Sequence, residues 1–577
     1  MACLARPVSL FLATVCAAAT AILPPVTAQE PSTLAPFEGD REIDDAFDEV
    51  TWESAASGIG CTCSVCGKQA PAAGPSRKCE TCCHGLLLDW SKYPETVRPM
   101  PRPGIFPVAP TQGPAHFSMW DALTGRCRPA PPKSGYAPFA INAWPLYDAD
   151  WRFVEGIDPC ERTLVERLKR IHMGDCLLFS TGGEYWARYH DEHNSRLTEV
   201  DNTFTLQHVR MFGDLWYGDG FRLYGEYVWA DSFGEELPPV PPDVDRGDLM
   251  DLFIDVKLFE YLCRPVYVRA GRQELLYGSQ RLVTPLPWAN KRHSFDGVKV
   301  FRQGEKWDFD AFWTQYVPPN ADEFDEADSN QTLAGAWLTN RPKPGETRDY
   351  YYLMYGNDNT SAPLGLVNAP LEAHTFGTRW AGDNCGWLWD FEGALQFGEQ
   401  GGSDLFAGMG TAGVGRSWKN AHLTPTVWLY YDYASGDDDP TSGDAHTFNS
   451  LFPFGHYYLG WMDLVGRRNI HDLNAHLYLY PAPWITFWFQ YHHFWLDEAQ
   501  DALYNPAGIA YRRDPTGLAG TDVGDEIDFV VNFHLTRYSD FLVSYNKLYG
   551  GGFLEGTSGP NQAVDADSLY MLFQQRW

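Results

Sequence analysis

From residue 177 to the C-terminus the chain alternates apolar and polar positions with a period of two, the pattern of strands that turn one face to an apolar medium and the other to a polar one. Over 221–230, Phe221, Leu223, Gly225, Tyr227 and Trp229 share a face, with Arg222, Tyr224, Glu226 and Val228 on the other. Over 250–261, Leu252, Ile254, Val256 and Leu258 oppose Asp251, Asp255 and Lys257; over 307–317, Trp307, Phe309, Ala311 and Trp313 oppose Asp308, Asp310 and Thr314. An apolar face backed by a charged one suits a wall between lipid and water. The pattern therefore predicts an all-β fold, a transmembrane antiparallel β-barrel of about 18 strands over 175–577.

An even number of strands puts both barrel ends on one side. With the C-terminus in the periplasm, the short links 304–306, 383–386, 419–422, 481–483 and 537–540 fall inside, and the longer segments 318–331, 357–373, 435–469, 497–525 and 550–567 fall outside. Short periplasmic turns and long outer loops are the rule for bacterial barrels; a sandwich or propeller has no reason to sort its loops this way. The last strand sets Leu569, Met571, Phe573 and Trp577 against Tyr570, Leu572, Gln574 and Arg576, with Gln575 interrupting the outward row.

Upstream the periodicity disappears. Residues 1–28 read as a signal peptide: Arg6, an apolar run over 8–19, and Val26-Thr27-Ala28 at the cleavage site. Lipid attachment at Cys16 fits poorly, because Val15 stands where a small residue is preferred. Residues 29–115 form a loop-rich, Pro/Gly- and cysteine-rich periplasmic segment, and 116–174 a pre-barrel segment with a short helix at 161–171, where Leu164, Leu168 and Ile171 recur at helical spacing.

Composition sharpens this picture. Aromatic residues make up 15% of the chain while the mean hydropathy is only -0.34, a pairing that fits aromatic girdles on a barrel, and no mature run of about 18 apolar residues offers a spanning helix. A net charge of -31 disfavours nucleic acid as a partner. The acidic run 322–328 reads as a solvated surface.

The candidate chemistry lies on the inward faces. Alternation places Arg188, Arg222, Lys257, Arg269, Lys299 and Arg379 there, and Arg272 joins them if a bulge follows Gly271. Such groups suit a track for carboxylates, since a guanidinium meets a carboxylate through two hydrogen bonds. Glu184, Glu226, Asp251, Asp255, Asp308 and Asp310 fall on the same faces, so the alternative is a network of wall ion pairs, with Glu184/Arg188 and Glu226/Arg222 as natural partners. In an outer loop Asp437, Asp438, Asp439 and Asp444 offer carboxylates to Ca²⁺ or form a plain acidic turn. In the N-terminal segment Cys63-x-x-Cys66 and Cys79-x-x-Cys82 have the spacing of a zinc ribbon, the periplasm favours disulfides instead, and Cys79-x-x-x-Cys83-His84 departs by one residue from haem attachment. No cofactor is required by any of this. No nucleophile-elbow, zincin or phosphate-loop motif points to an enzyme, and His492 and His493 face opposite sides of a strand.

Two separated stretches carry a resemblance. Arg269-Ala270-Gly271-Arg272-Gln273-Glu274-Leu275, continuing through Tyr277-Gly278-Ser279-Gln280-Arg281-Leu282 to Ser294-Phe295-Asp296-Gly297-Val298, resembles the alginate-export family of outer-membrane proteins. So does Tyr433-Ala434-Ser435-Gly436-Asp437, followed by Thr447-Phe448-Asn449 and 451–460. The resemblance spans roughly 155–577 and implies a monomeric 18-stranded barrel in the bacterial outer membrane, its pore lined by basic groups, through which an anionic polysaccharide such as alginate is exported. The expected partners are outer-membrane lipid, an anionic polysaccharide or small anionic solutes, and a periplasmic protein at the N-terminal segment. A nonspecific porin and a secreted carbohydrate-binding β-sheet protein are the alternatives.

Overall fold

The computed structural model describes residues 118–124, 145–149, 151–160 and 162–577 apart from 419 and 483. The expected signal peptide over 1–28, the segment 29–115 and the cysteines Cys63, Cys66, Cys79 and Cys82 lie outside the described residues. The main sheet has 19 strands. One is a three-residue strand, Ile171–Met173; the other 18, from β1 (Leu177–His193) to β18 (Ala566–Arg576), close into an antiparallel barrel. Closure is made by β18 on β1, with Arg576 opposite Glu184.

The walls form as the alternation predicts. In β3 (Phe221–Phe233) and β4 (Asp245–Tyr261), Arg222, Tyr224 and Glu226, then Phe253, Asp255 and Lys257, are buried, while Leu223, Tyr227, Leu252 and Ile254 are exposed toward lipid. Tyr217, Tyr261, Trp307, Trp387 and Trp418 are exposed at the periplasmic ends of their strands, where amphipathic rings sit at the headgroup level. Connections sort by side: the periplasmic links are 218–220, 262–263, 304–306, 341–345, 385–386, 418–425, 483–484 and 537–538, and the outer ones include 274–293, 435–469 and 496–521. The exception is the outer turn Gly401-Gly402, with φ of 61° and 88°, a two-residue hairpin that needs positive φ at both positions.

Two expectations change. The helix expected at 161–171 is one turn, Leu164–Arg167, started by a capping box between Thr163 and Glu166. It stops because Arg170 takes φ 51° and Ile171 enters a strand; Leu164, one of the residues at helical spacing, is 75% exposed. The bulge after Gly271 is also absent, since both neighbouring registers run through 271 and 272 without a shift.

The inside of the barrel is filled. The outer segments 274–293 and 435–469 fold down into it, and Leu275, Tyr277, Leu282, Trp288, Phe452, Phe454 and Tyr457 join the wall residues Trp186, Phe312, Trp337, Trp428 and Tyr570 in one apolar core. The two segments pair at Val283 and Phe452. A hairpin in 496–521, Ala502–Tyr504 with Ala510–Arg513, lies over them: the Gly466 N–H donates to the Tyr504 carbonyl, and Tyr511 Oη to the Leu464 carbonyl at 2.7 Å.

Candidate functional site

The predicted inward charges are where the alternation puts them, but their partners differ from those expected along a strand. Residues four apart on one strand stand about 13 Å apart, whereas cross-strand neighbours are about 5 Å apart. Glu184 therefore does not meet Arg188. It accepts from Arg576 Nε at 2.7 Å and Gln574 Nε2 at 2.6 Å across the closing seam, and lies 3.6 Å from Arg210 and 3.3 Å from His208. Glu226 pairs with Arg210 and accepts from Tyr224 Oη rather than meeting Arg222.

The rest form a row. Arg222 faces Asp255, Asp255 faces Arg269, and Arg269 faces Lys299, on β3, β4, β5 (Arg264–Gln273) and β6 (Ser294–Gln303). Arg269 donates to both Asp255 oxygens, at 2.7 and 2.8 Å; Arg222 does the same to Asp214, at 2.7 and 3.0 Å. Lys299 lies 3.9 Å from Asp310. Lys257 sits at the periplasmic rim between Asp219 and Glu260, and Arg379 between Asp390 and Asp349. Asp308 holds Arg341. Arg272 stays on the face opposite Arg269 and pairs with Asp296 at 2.9 Å and Asp248 at 3.4 Å. Among the described residues, Arg188 alone of the predicted arginines has no carboxylate within ion-pair distance: Nη1 donates to the Trp288 carbonyl at 2.8 Å and its guanidinium stacks 4.0 Å from that ring's centroid.

Sequence reasoning missed the cations that the in-folded segments bring to the wall. Arg281 reaches Asp390 and Glu392 of β11 (Trp387–Gln400), both at 2.9 Å, and Arg467 reaches Asp432 of β13 (Thr426–Ala434). Lys291 bridges Asp245 and Asp325, and Arg292 meets Glu274 at 3.3 Å. The available signal was a loop too rich in apolar residues for a solvated one, 275–289, that shows no period of two.

A second plug enters from the periplasmic side. Leu146, Tyr147 and Asp148 make one 3-10 turn packed on Phe212, Tyr224 and Phe253. Arg222 Nη2 donates to the Tyr147 carbonyl at 2.8 Å, the Arg269 guanidinium lies 4.6 Å from the Tyr147 ring centroid, and Tyr147 Oη donates to the Glu274 carbonyl at 2.9 Å. The strap that follows is fixed to the barrel's last residue, with Lys169 Nζ donating to the Trp577 carbonyl at 3.0 Å and to that of Thr181. Gly183 leaves room for this end, because a Cβ there would lie 2.7 Å from the Trp577 ring.

Burial pushes the Lys169 ammonium down to about 7. The docked strap thus disfavours the protonated amine, so docking is weakened in full below about pH 7 and strengthens as pH rises from there toward the unperturbed lysine value of about 10.4. Limited proteolysis between residues 149 and 176 is expected to be slower at pH 9 than at pH 6.5, and Lys169→Met should flatten the difference. An unchanged pH dependence in that variant would refute the assignment.

The outer-loop aspartates do not gather around a common point. Asp437 accepts the backbone N–H groups of Asp439 and His446, both at 3.0 Å, Asp439 accepts from Ser442 Oγ, and Asp444 is exposed. Asp245, Asp248 and Asp325 are the one acidic group among the described residues close enough to share a cation, and the Lys291 ammonium already lies between two of them. Burial still holds Asp325 up at about 6 against the pull of Lys291. His492 and His493 do face opposite ways: the first is buried on Asp472 at 2.9 Å, the second half-exposed on Asp525 at 3.0 Å.

Among solved structures the chain is similar to Pseudomonas aeruginosa OccD3 (OpdP), at 12% identity and a TM-score of 0.46 over 69% of this chain and 91% of that one. It is similar also to OccK8 (OprE) of the same organism, at 10% identity and a TM-score of 0.46 over 69% and 98%, and to OpdQ, at 11% and 0.45 over 70% and 99%. No curated protein matches the chain. Residues 178–564 match the alginate export family, from the second residue of β1 to the loop before β18. The chain belongs to that family and is a channel-forming β-barrel of the bacterial outer membrane.

Proposed function

We propose that the protein is a passive channel, closed at rest by its own segments, for an anionic polysaccharide or small anionic solutes. The observation that carries this reading is the row Arg222, Arg269 and Lys299 interleaved with rings. Arg222 lies 5.0 Å from the Trp216 centroid, and Arg269 lies 3.7 Å from that of Phe253. Guanidinium groups beside aromatic faces, on exchanging Asp214 and Asp255 for a uronate, would meet both its carboxylate and its apolar ring face. A second reading, the nonspecific porin, is favoured by the opposite wall, where Asp349, Asp390, Glu392, Asp432 and Asp472 all turn inward. Once the loops leave, these carboxylates oppose a polyanion.

The two readings separate in planar bilayers. Uronate oligomers added to the open channel are expected to reduce its current in a concentration-dependent way, while neutral glucose oligomers of the same length leave it unchanged. Equal block by both, or by neither, would refute the anionic cargo.

A further inference from the structure

We infer an oxyanion-binding site at the outer end of the barrel, where β1 and β18 meet the in-folded segments 274–293 and 435–469, and its occupant clamps those segments shut. Arg188 is 3% exposed, yet among the described residues it makes no ion pair. Arg210, Arg222, Arg269 and Arg379 on the same wall each hold a carboxylate. A guanidinium removed from water without a counter-ion is strongly unfavourable. The neighbourhood supplies further polar groups in the same condition. Arg188 Nε, His190 Nε2, His456 Nε2, Trp461 Nε1 and Tyr570 Oη are all buried, and among the described residues none has a hydrogen-bond partner.

These groups are one cluster. Trp288 is stacked between the Arg188 guanidinium, at 4.0 Å, and the His456 ring, at 3.7 Å. The His456 and Trp461 centroids are 4.5 Å apart, those of Trp461 and Tyr570 5.7 Å, and those of His190 and Tyr570 5.5 Å. Each imidazole is oriented through Nδ1, His190 by Glu192 at 3.2 Å and His456 by Asp463 at 2.8 Å, which leaves Nε2 for another partner. Arg188 Nε, Trp461 Nε1 and Tyr570 Oη carry protons to donate. A positive charge with three unpartnered donors around it, which the carboxylates of Asp243, Asp463 and Glu192 reach only from beyond ion-pair distance, selects an oxyanion: a carboxylate, a sulfate or a phosphate.

The cluster joins fixed and movable parts. Arg188, His190 and Tyr570 belong to the wall, Trp288 to one in-folded segment, and His456 and Trp461 to the other. An anion held by all three favours the closed arrangement by an amount that grows with the logarithm of its concentration above the dissociation constant. This goes beyond passage of cargo, since the occupant here keeps the channel shut.

The test is equilibrium dialysis of the full chain in detergent against labelled sulfate, phosphate and glucuronate, with glucose as the neutral control. At least one oxyanion is expected to bind saturably at one site per chain, and glucose not at all. Arg188→Lys and Tyr570→Phe, both checked for heat-modifiable migration, are each expected to weaken binding by about tenfold, the scale of one charge-assisted hydrogen bond. Glucuronate alone binding would make the occupant a sugar acid; sulfate or phosphate binding would make it an inorganic ion. No saturable binding of any of the three, or binding undiminished in both variants, would overturn the site. Since the readout is binding and not current, its failure leaves the channel reading intact, and a silent channel leaves the site standing.

Discussion

Arg281→Ala is expected to open the channel. Arg281 is fully buried on Asp390 and Glu392 and is carried by the segment that crosses the lumen, so its two contacts exist only while that segment is docked. Removing Arg281 leaves Asp390 with Arg379 but takes the cation from Glu392, and removing one partner of a buried ion pair costs about 3–5 kcal/mol. The undocked state makes no such contact and is unaffected, so the balance moves toward it by roughly a hundredfold or more. Single-channel recording should show open probability rising by about two orders of magnitude, with Arg281→Lys intermediate, since one ammonium cannot match a fork that reaches both carboxylates. The wall itself does not depend on this contact, so heat-modifiable migration should persist. Recordings indistinguishable from wild type would remove the latch from the account.

Glu184→Ala should weaken closure of the barrel. Its carboxylate accepts from Arg576 and Gln574 on β18 and faces Arg210 and His208 on β2 (Asn202–Tyr217), so one side chain ties three strands at the seam. Deletion leaves two guanidinium groups without that compensation, which is again worth about 3–5 kcal/mol. Unfolding of the β-barrel on heating should shift down by several degrees, less for Glu184→Gln, which keeps an acceptor. A melting point within a degree of wild type would show that backbone pairing alone secures the seam.

The barrel wall is legible in the sequence because lipid outside and polar surroundings inside impose a period of two on every strand. Arg222, Asp255 and Arg269 can be assigned inward without coordinates for that reason. Their partners cannot, because these depend on register between strands. Glu184 and Arg576 are neighbours in space and almost 400 residues apart. The plugs are illegible for a different reason. Segments 274–293, 435–469 and 145–149 pack as irregular chain against many partners at once, so no period marks Arg281, Trp288, His456 or Tyr147 as interior. The resemblance passes through Arg281 and His456, but as members of a string, with no indication that they fill the pore.

Tyr147 and Glu274 meet in mid-lumen, one arriving from the periplasm and the other from outside. That contact gives the two faces of the membrane a common variable. The coupling is reciprocal: docking of the strap favours docking of the outer segment by the same coupling free energy by which the outer segment favours the strap, and that free energy is bounded by the shared contact. The two ends of the barrel are thus tied through a single hydrogen bond, and docking at one end is a thermodynamic variable of docking at the other.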